Sequence, residues 1–182
     1  MTTNQSGTAA VGDRRDRAPA ADLLRNYLDD HWAGAGGGRE LAKQIAGRHE
    51  NGPWSEPLAE LASEIAADEA RLDDVREAVD AGGGCIKRVA AQTAERVSRL
   101  VTSQQADRAP LHRVLELEAM MSGVLAKRRL WVALHESGVA DRFEPQRLAE
   151  RAGEQLELLA LVHADAARSA FAAGGGVECS RP

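Results

Sequence analysis

Six side chains in this sequence pair ionisable or amide chemistry with a place on or beside a helix's apolar face: His31, Asp68, Glu69, Glu118, Gln155 and His163. When helices pack, such groups leave water, and a charge must then be paired, hydrogen-bonded or bound to a metal. One outcome is a Glu–His–Gln network that fixes the register of neighbouring helices and needs no ligand. Another is a divalent cation held by His31, Glu118, His163 and an acid from Asp68 or Glu69. Imidazole with carboxylate suits iron, manganese or zinc. A small-molecule pocket is a third outcome.

Winding each segment at roughly 100° per residue indicates which groups face inward. His31 lies near the centre of the arc of Leu24, Tyr27, Ala35 and Ala42, with Asp30 at its rim. Glu118 falls between Leu111, Leu115 and Leu125, with Arg129 in the same arc and Glu116 turned to water. Gln155 and His163 share the face of Leu148 and Leu159, whereas Glu154 and Glu157 do not. Asp68 and Glu69 flank the centre of their face, and the pattern leaves open which one enters. Counted from the loops near Gly52 and Val139, these positions fall within about 12 Å of one another along a bundle axis.

Five helical segments are expected to position these groups. The first runs from Ala20 to His49 and is stopped by Asn51-Gly52-Pro53. It contains Gly34 and Gly36-Gly37-Gly38, and each interior glycine costs roughly 1 kcal/mol relative to alanine. A closely approaching neighbour would account for the run; otherwise the helix kinks there. The second segment starts at Ser55, a suitable N-cap with Pro57 in the first turn, and ends at Ala81. A shorter amphipathic segment follows, Ile86 to Val101. Its apolar stripe of Ile86, Val89, Thr93, Val97 and Leu100 opposes Lys87, Arg88, Arg96 and Arg99. The last two run from Pro110 to His135 and from Pro145 to Ala172. Short loops within the first and last pairs imply antiparallel hairpins, and the segment between them is long enough to cross a bundle. Residues 1–18 read as a disordered leader, 19–173 as one helical domain and 174–182 as a flexible tail.

Composition agrees with an all-α domain. The chain has 182 residues, aromatic residues make up 3%, and alanine, leucine, glutamate and arginine dominate. The net charge of −5 is spread among interspersed acids and bases, without the basic stripe that nucleic acid requires. No membrane span and no signal peptide are expected. Cys85 and Cys179 are isolated, which predicts a reducing, cytoplasmic setting and an incidental role for Cys85.

Two helical hairpins joined by a long crossover resemble the ferritin-like four-helix bundle. Tyr27-Leu28-Asp29-Asp30-His31-Trp32-Ala33-Gly34-Ala35 resembles the opening helix of small bacterial ferritin-like proteins. Glu64-Ile65-Ala66-Ala67-Asp68-Glu69 and Leu115-Glu116-Leu117-Glu118-Ala119-Met120 are similar to segments of their second and third helices. The resemblance covers residues 20–172. It implies a di-iron or di-manganese carboxylate centre, whose signature is a Glu on two helices and Glu-x-x-His on the other two. This chain departs from it. Leu28, Ala46, Ala109, Val132 and Ala160 stand three residues before its five histidines, so there is no ExxH.

The remaining features read as structural. Trp32, Trp54 and Trp131 fill space, Met120-Met121 packs, and Lys127-Arg128-Arg129 forms a solvated face. No GxSxG elbow is present. The expectation is a non-catalytic bundle without a cofactor that acts through a protein partner or as a homo-oligomer. The alternative is a degenerate metal-binding bundle of oxidoreductase or storage type.

Overall fold

The computed structural model describes residues 17–80 and 109–172. Within them the chain forms α1 (Arg17–Arg48), α2 (Ser55–Asp80), α3 (Ala109–Ser137) and α4 (Pro145–Ala172), with a 3-10 turn at Asp141–Phe143. The described residues contain no strand, and none of their helices is long and apolar enough to cross a membrane. The expected helix from Ile86 to Val101 lies outside the described residues, as do Cys85, Cys179, most of the leader and the tail.

Helix ends fall where the local chemistry places them. α1 gives way at Asn51-Gly52-Pro53, where the turn carries hydrogen bonds from His49 N to Ala46 O and from Gly52 N to His49 O. α3 ends at Gly138, whose φ of +64° lies in the left-handed region that glycine adopts at little cost. Glu144 takes the same region with φ of 54° and closes the 3-10 turn. Pro145 then opens α4, with its ring preset for the first helical position.

α1 runs unbroken through its glycines, so the helix does not end there. Close approach does not account for Gly36 or Gly38. A Cβ on Gly36 would meet Glu69 Oε1 at 3.6 Å, an ordinary contact, and one on Gly38 would meet nothing within 4 Å.

α1 packs along α2 and α3 along α4, with narrower contacts between α1 and α3 and between α2 and α4. Among the described residues the interior divides into two apolar clusters. One gathers Leu41, Ile45, Leu58, Leu61, Ile65, Leu117, Met120, Val124, Leu159 and Val162. The other gathers Leu28, Leu72, Val75, Leu130, Trp131, Leu134 and Leu148. Each fully buried aliphatic side chain contributes about 1.5–3 kcal/mol, so these clusters hold the bundle together. Between them in chain order stand Asp68 on α2 and Lys127 on α3, while Gln155 on α4 lies within the first cluster, between Ala152 and Leu159.

Candidate functional site

Three helices meet at Asp68. On α2 it stands one turn after Ile65 and one before Leu72, on the core side, and its side chain is 3% exposed. Lys127 reaches its carboxylate from α3 and Arg151 from α4, both through charge-assisted hydrogen bonds. Gln155, one turn beyond Arg151, ties these groups together. Its Oε1 accepts from Lys127 Nζ at 2.6 Å, and its Nε2 donates to Glu64 Oε2 at 2.7 Å. The same Nε2 lies 3.4 Å from Asp68 Oδ2. Two carboxylates therefore balance an ammonium and a guanidinium. Burial lowers the Lys127 pKa, and the Asp68 carboxylate opposes that shift. Because Lys127 is held by Asp68 and Gln155 together, the arrangement works as a register lock rather than as a free amine.

From α1, Arg39 meets Glu69 at 3.1 Å, which sets the end of the glycine run against the turn that carries Asp68. The question the sequence left open is thereby answered. Asp68 enters the core and Glu69 turns to Arg39. Gln155 is buried, as its phase predicts. His31 is half-buried with its ring edge against Tyr27, the centroids 4.8 Å apart at 77°. Burial lowers its pKa and the Asp30 charge opposes the shift.

Helix α3 requires a correction. The sequence expectation turned Glu118 inward and Glu116 to water, and the structure reverses them. Glu118 is 54% exposed and lies 3.3 Å from His163 Nε2 at the outer edge of the α3–α4 seam. Glu116 is buried, where it pairs with Arg48 of α1 and lies 3.3 Å from His112 Nδ1. Arg129, expected inside, is exposed, while Lys127, expected on a solvated face, enters the core. The physical reason is that α3 carries two apolar faces. Val114, Leu117, Met120, Val124, Trp131 and Leu134 form the one that packs, whereas Leu111, Leu115 and Leu125 lie on the other.

The five candidate ligands do not converge. His31 meets Tyr27 edge to face, Asp68 is taken up by Lys127 and Arg151, Glu69 pairs with Arg39, and Glu118 pairs with His163. Among the described residues, no group of three or more His, Cys, Asp or Glu side chains is placed to hold a metal ion.

Sequence reasoning missed Lys127, Arg151, Glu64, Glu116 and Arg48. The spacing of Val114, Leu117, Met120 and Val124 was the available signal, since it places Lys127 and Glu116 at the rim of the packed face. The tryptophans divide as well. Trp131 is fully buried, the Arg76 guanidinium lies 4.4 Å over the Trp32 ring, and Trp54 Nε1 donates to Asp165 at 3.1 Å. That bond, followed by one from Arg168, holds the Asp165 pKa below the ordinary value.

Comparison of the chain with protein-family models, curated proteins and solved structures gives no match.

Proposed function

We propose that this chain is a ferritin-like bundle that acts by self-association, with the outward face of α3 as its contact surface. The supporting observation is a spacing. Leu111, Leu115, Glu118, Ser122, Leu125 and Arg129 are all exposed and follow one another at intervals of four, three, four, three and four. That alternation is the pattern of a coiled-coil seam. The three leucines are 43%, 40% and 44% exposed on the side of α3 away from its packed face.

The seam is self-complementary. Antiparallel pairing with a second copy, centred between Glu118 and Ser122, stacks Leu115 on Leu125 of the partner subunit. The same register puts Glu118 against the partner's Ser122 and Leu111 against the partner's Arg129. Every layer recurs through the two-fold axis, as an isologous interface requires. The polar central layers specify register at some expense of stability, in the manner of a buried polar residue in a coiled coil.

Contacts within the bundle favour the ferritin-like arrangement. Arg25 with Asp80, Asp29 with Arg76 and Arg39 with Glu69 fit an antiparallel α1–α2 hairpin. Glu118 with His163 and Lys127 with Gln155 fit an antiparallel α3–α4 hairpin. Arg48 with Glu116 sets the end of α1 beside the start of α3, which fits α2 ending and α3 beginning at opposite ends of the bundle. A protein partner in a cytoplasmic setting belongs to the same reading. The metal-binding alternative has less footing, because Asp68 is already neutralised by Lys127 and Arg151.

Sedimentation of the full chain over a concentration series tests this reading. The parent should form a dimer, and Leu115→Glu should sediment as a monomer with unchanged helicity. A parent that stays monomeric at every concentration, or a Leu115→Glu variant that stays dimeric, overturns it.

A further inference from the structure

A cleft opens between α2 and the start of α4. Its volume is about 180 Å³, and it is lined by Ala67, Arg71, Phe143, Glu144, Arg147, Leu148 and Arg151. Three guanidiniums face one carboxylate in this lining. Arg151 is anchored behind the cleft by Asp68. The other two arginines have loose partners: Arg71 meets Asp74 at 3.3 Å and Arg147 meets Glu144 at 3.6 Å, all four side chains being largely exposed. Exposed pairs of this kind are readily exchanged for a better acceptor. Phe143 and Leu148 supply an apolar wall beside the charged one.

From this geometry we infer that the cleft binds a small phosphate-bearing anion, held by Arg71, Arg147 and Arg151. Guanidinium groups present planar forks of donors that match phosphate oxygens in pairs, which an ammonium cannot do. The volume lies below the roughly 300–1,000 Å³ of pockets for drug-sized ligands, so the occupant is a single phosphate or a short phosphomonoester rather than a nucleotide. Such an anion bridges α2 and α4 through their arginines and takes the place of the loosely held carboxylates of Asp74 and Glu144. Glu144 at the rim swings away from Arg147 when the anion enters. This inference does not depend on the α3 seam.

The test is titration calorimetry on the full chain at constant ionic strength, with inorganic phosphate and glycerol 3-phosphate as probes and succinate as a carboxylate control. The parent should bind a phosphate probe more tightly than succinate. Arg71→Ala/Arg147→Ala should weaken that binding at least tenfold, with unchanged helicity because both side chains are surface groups. Tighter binding of glycerol 3-phosphate assigns the cleft to a phosphomonoester that uses Phe143 and Leu148, and tighter binding of inorganic phosphate assigns it to the free ion. Equal affinity in parent and double variant, or no binding by the parent, overturns the inference.

Discussion

The two faces of α3 present similar residues to opposite fates. On the inner face Val114, Leu117, Met120, Val124, Trp131 and Leu134 are sealed, and the charged groups among them, Glu116 and Lys127, meet Arg48 and Asp68. On the outer face Leu111, Leu115 and Leu125 stay exposed, and Glu118 meets His163 in solvent. A charge on the inner face must carry its partner with it. A charge on the outer face exchanges its partner for water at little expense.

The largest effect that could break this contrast belongs to Asp68. Asp68→Ala leaves Lys127 and Arg151 without their carboxylate, and breaking a buried pair from one side costs about 3–5 kcal/mol. Urea unfolding should show that loss. The companion variant Asp68→Leu/Lys127→Met/Gln155→Leu should recover most of it, since the buried ammonium leaves with its carboxylate while Arg151, with 31% of its side chain exposed, turns to water. If the triple variant is as unstable as the single one, the network is more than a register lock.

Leu117→Ala, on the sealed face, should cost about 2–5 kcal/mol. The equivalent truncation on the outer face, Leu115→Ala, should change the unfolding of the monomer by about 0.5 kcal/mol or less. Similar losses at the two positions would mean that the outer leucines are buried in the folded chain, and the comparison would collapse.

Acid should affect the partly buried imidazoles next. Burial lowers the pKa of His31 against the pull of Asp30. Burial also lowers that of His49, helped by Arg113 and Arg48 and opposed by Asp165. The folded chain therefore holds these protons less readily than the unfolded chain, whose histidines titrate near 6.5. The stability they permit is fully present above that value and declines as the pH falls through it toward the lowered values. The melting temperature of the parent should drop between neutral pH and mild acid, and His31→Gln/His49→Gln should flatten that dependence. An equally steep fall in the double variant would place the acid sensitivity elsewhere.

The smallest effect should come from Glu118→Gln. An exposed pair contributes about 0–1 kcal/mol, so chemical unfolding of the monomer should be almost unchanged. A loss comparable to that of Asp68→Ala would contradict the outer placement of Glu118.

Much of the fold was legible because its signals are local. Asn51-Gly52-Pro53, Ser55 with Pro57, Gly138 and Pro145 each act through backbone geometry, and the helix ends follow them within a few residues. α4 was legible in phase too, because Leu148, Gln155 and Leu159 share a single apolar face. α3 was not, because phase is a property of packing when a helix has two apolar faces. Leu111, Leu115 and Leu125 make as good a stripe in sequence as Val114, Leu117 and Val124. The choice between them is made by α1 and α4, whose Arg48 and Gln155 satisfy Glu116 and Lys127. The convergence expected of His31, Asp68, Glu118 and His163 failed for the same reason. Equal depth along the axis does not fix the angle around each helix. The partners of Asp68 were legible as residues but not as a network, since Lys127 and Arg151 lie 59 and 83 positions away from it.

Cross-linking across the seam tests the central claim most directly. In a background carrying Cys85→Ser and Cys179→Ser, Leu115→Cys and Leu125→Cys are placed on separate chains, mixed and oxidised. The antiparallel register sets position 115 of one copy against position 125 of the other, so the mixed pair should form a disulfide faster than either variant alone. No disulfide in any mixture, or equal rates in all three, would contradict self-association through the outer face of α3.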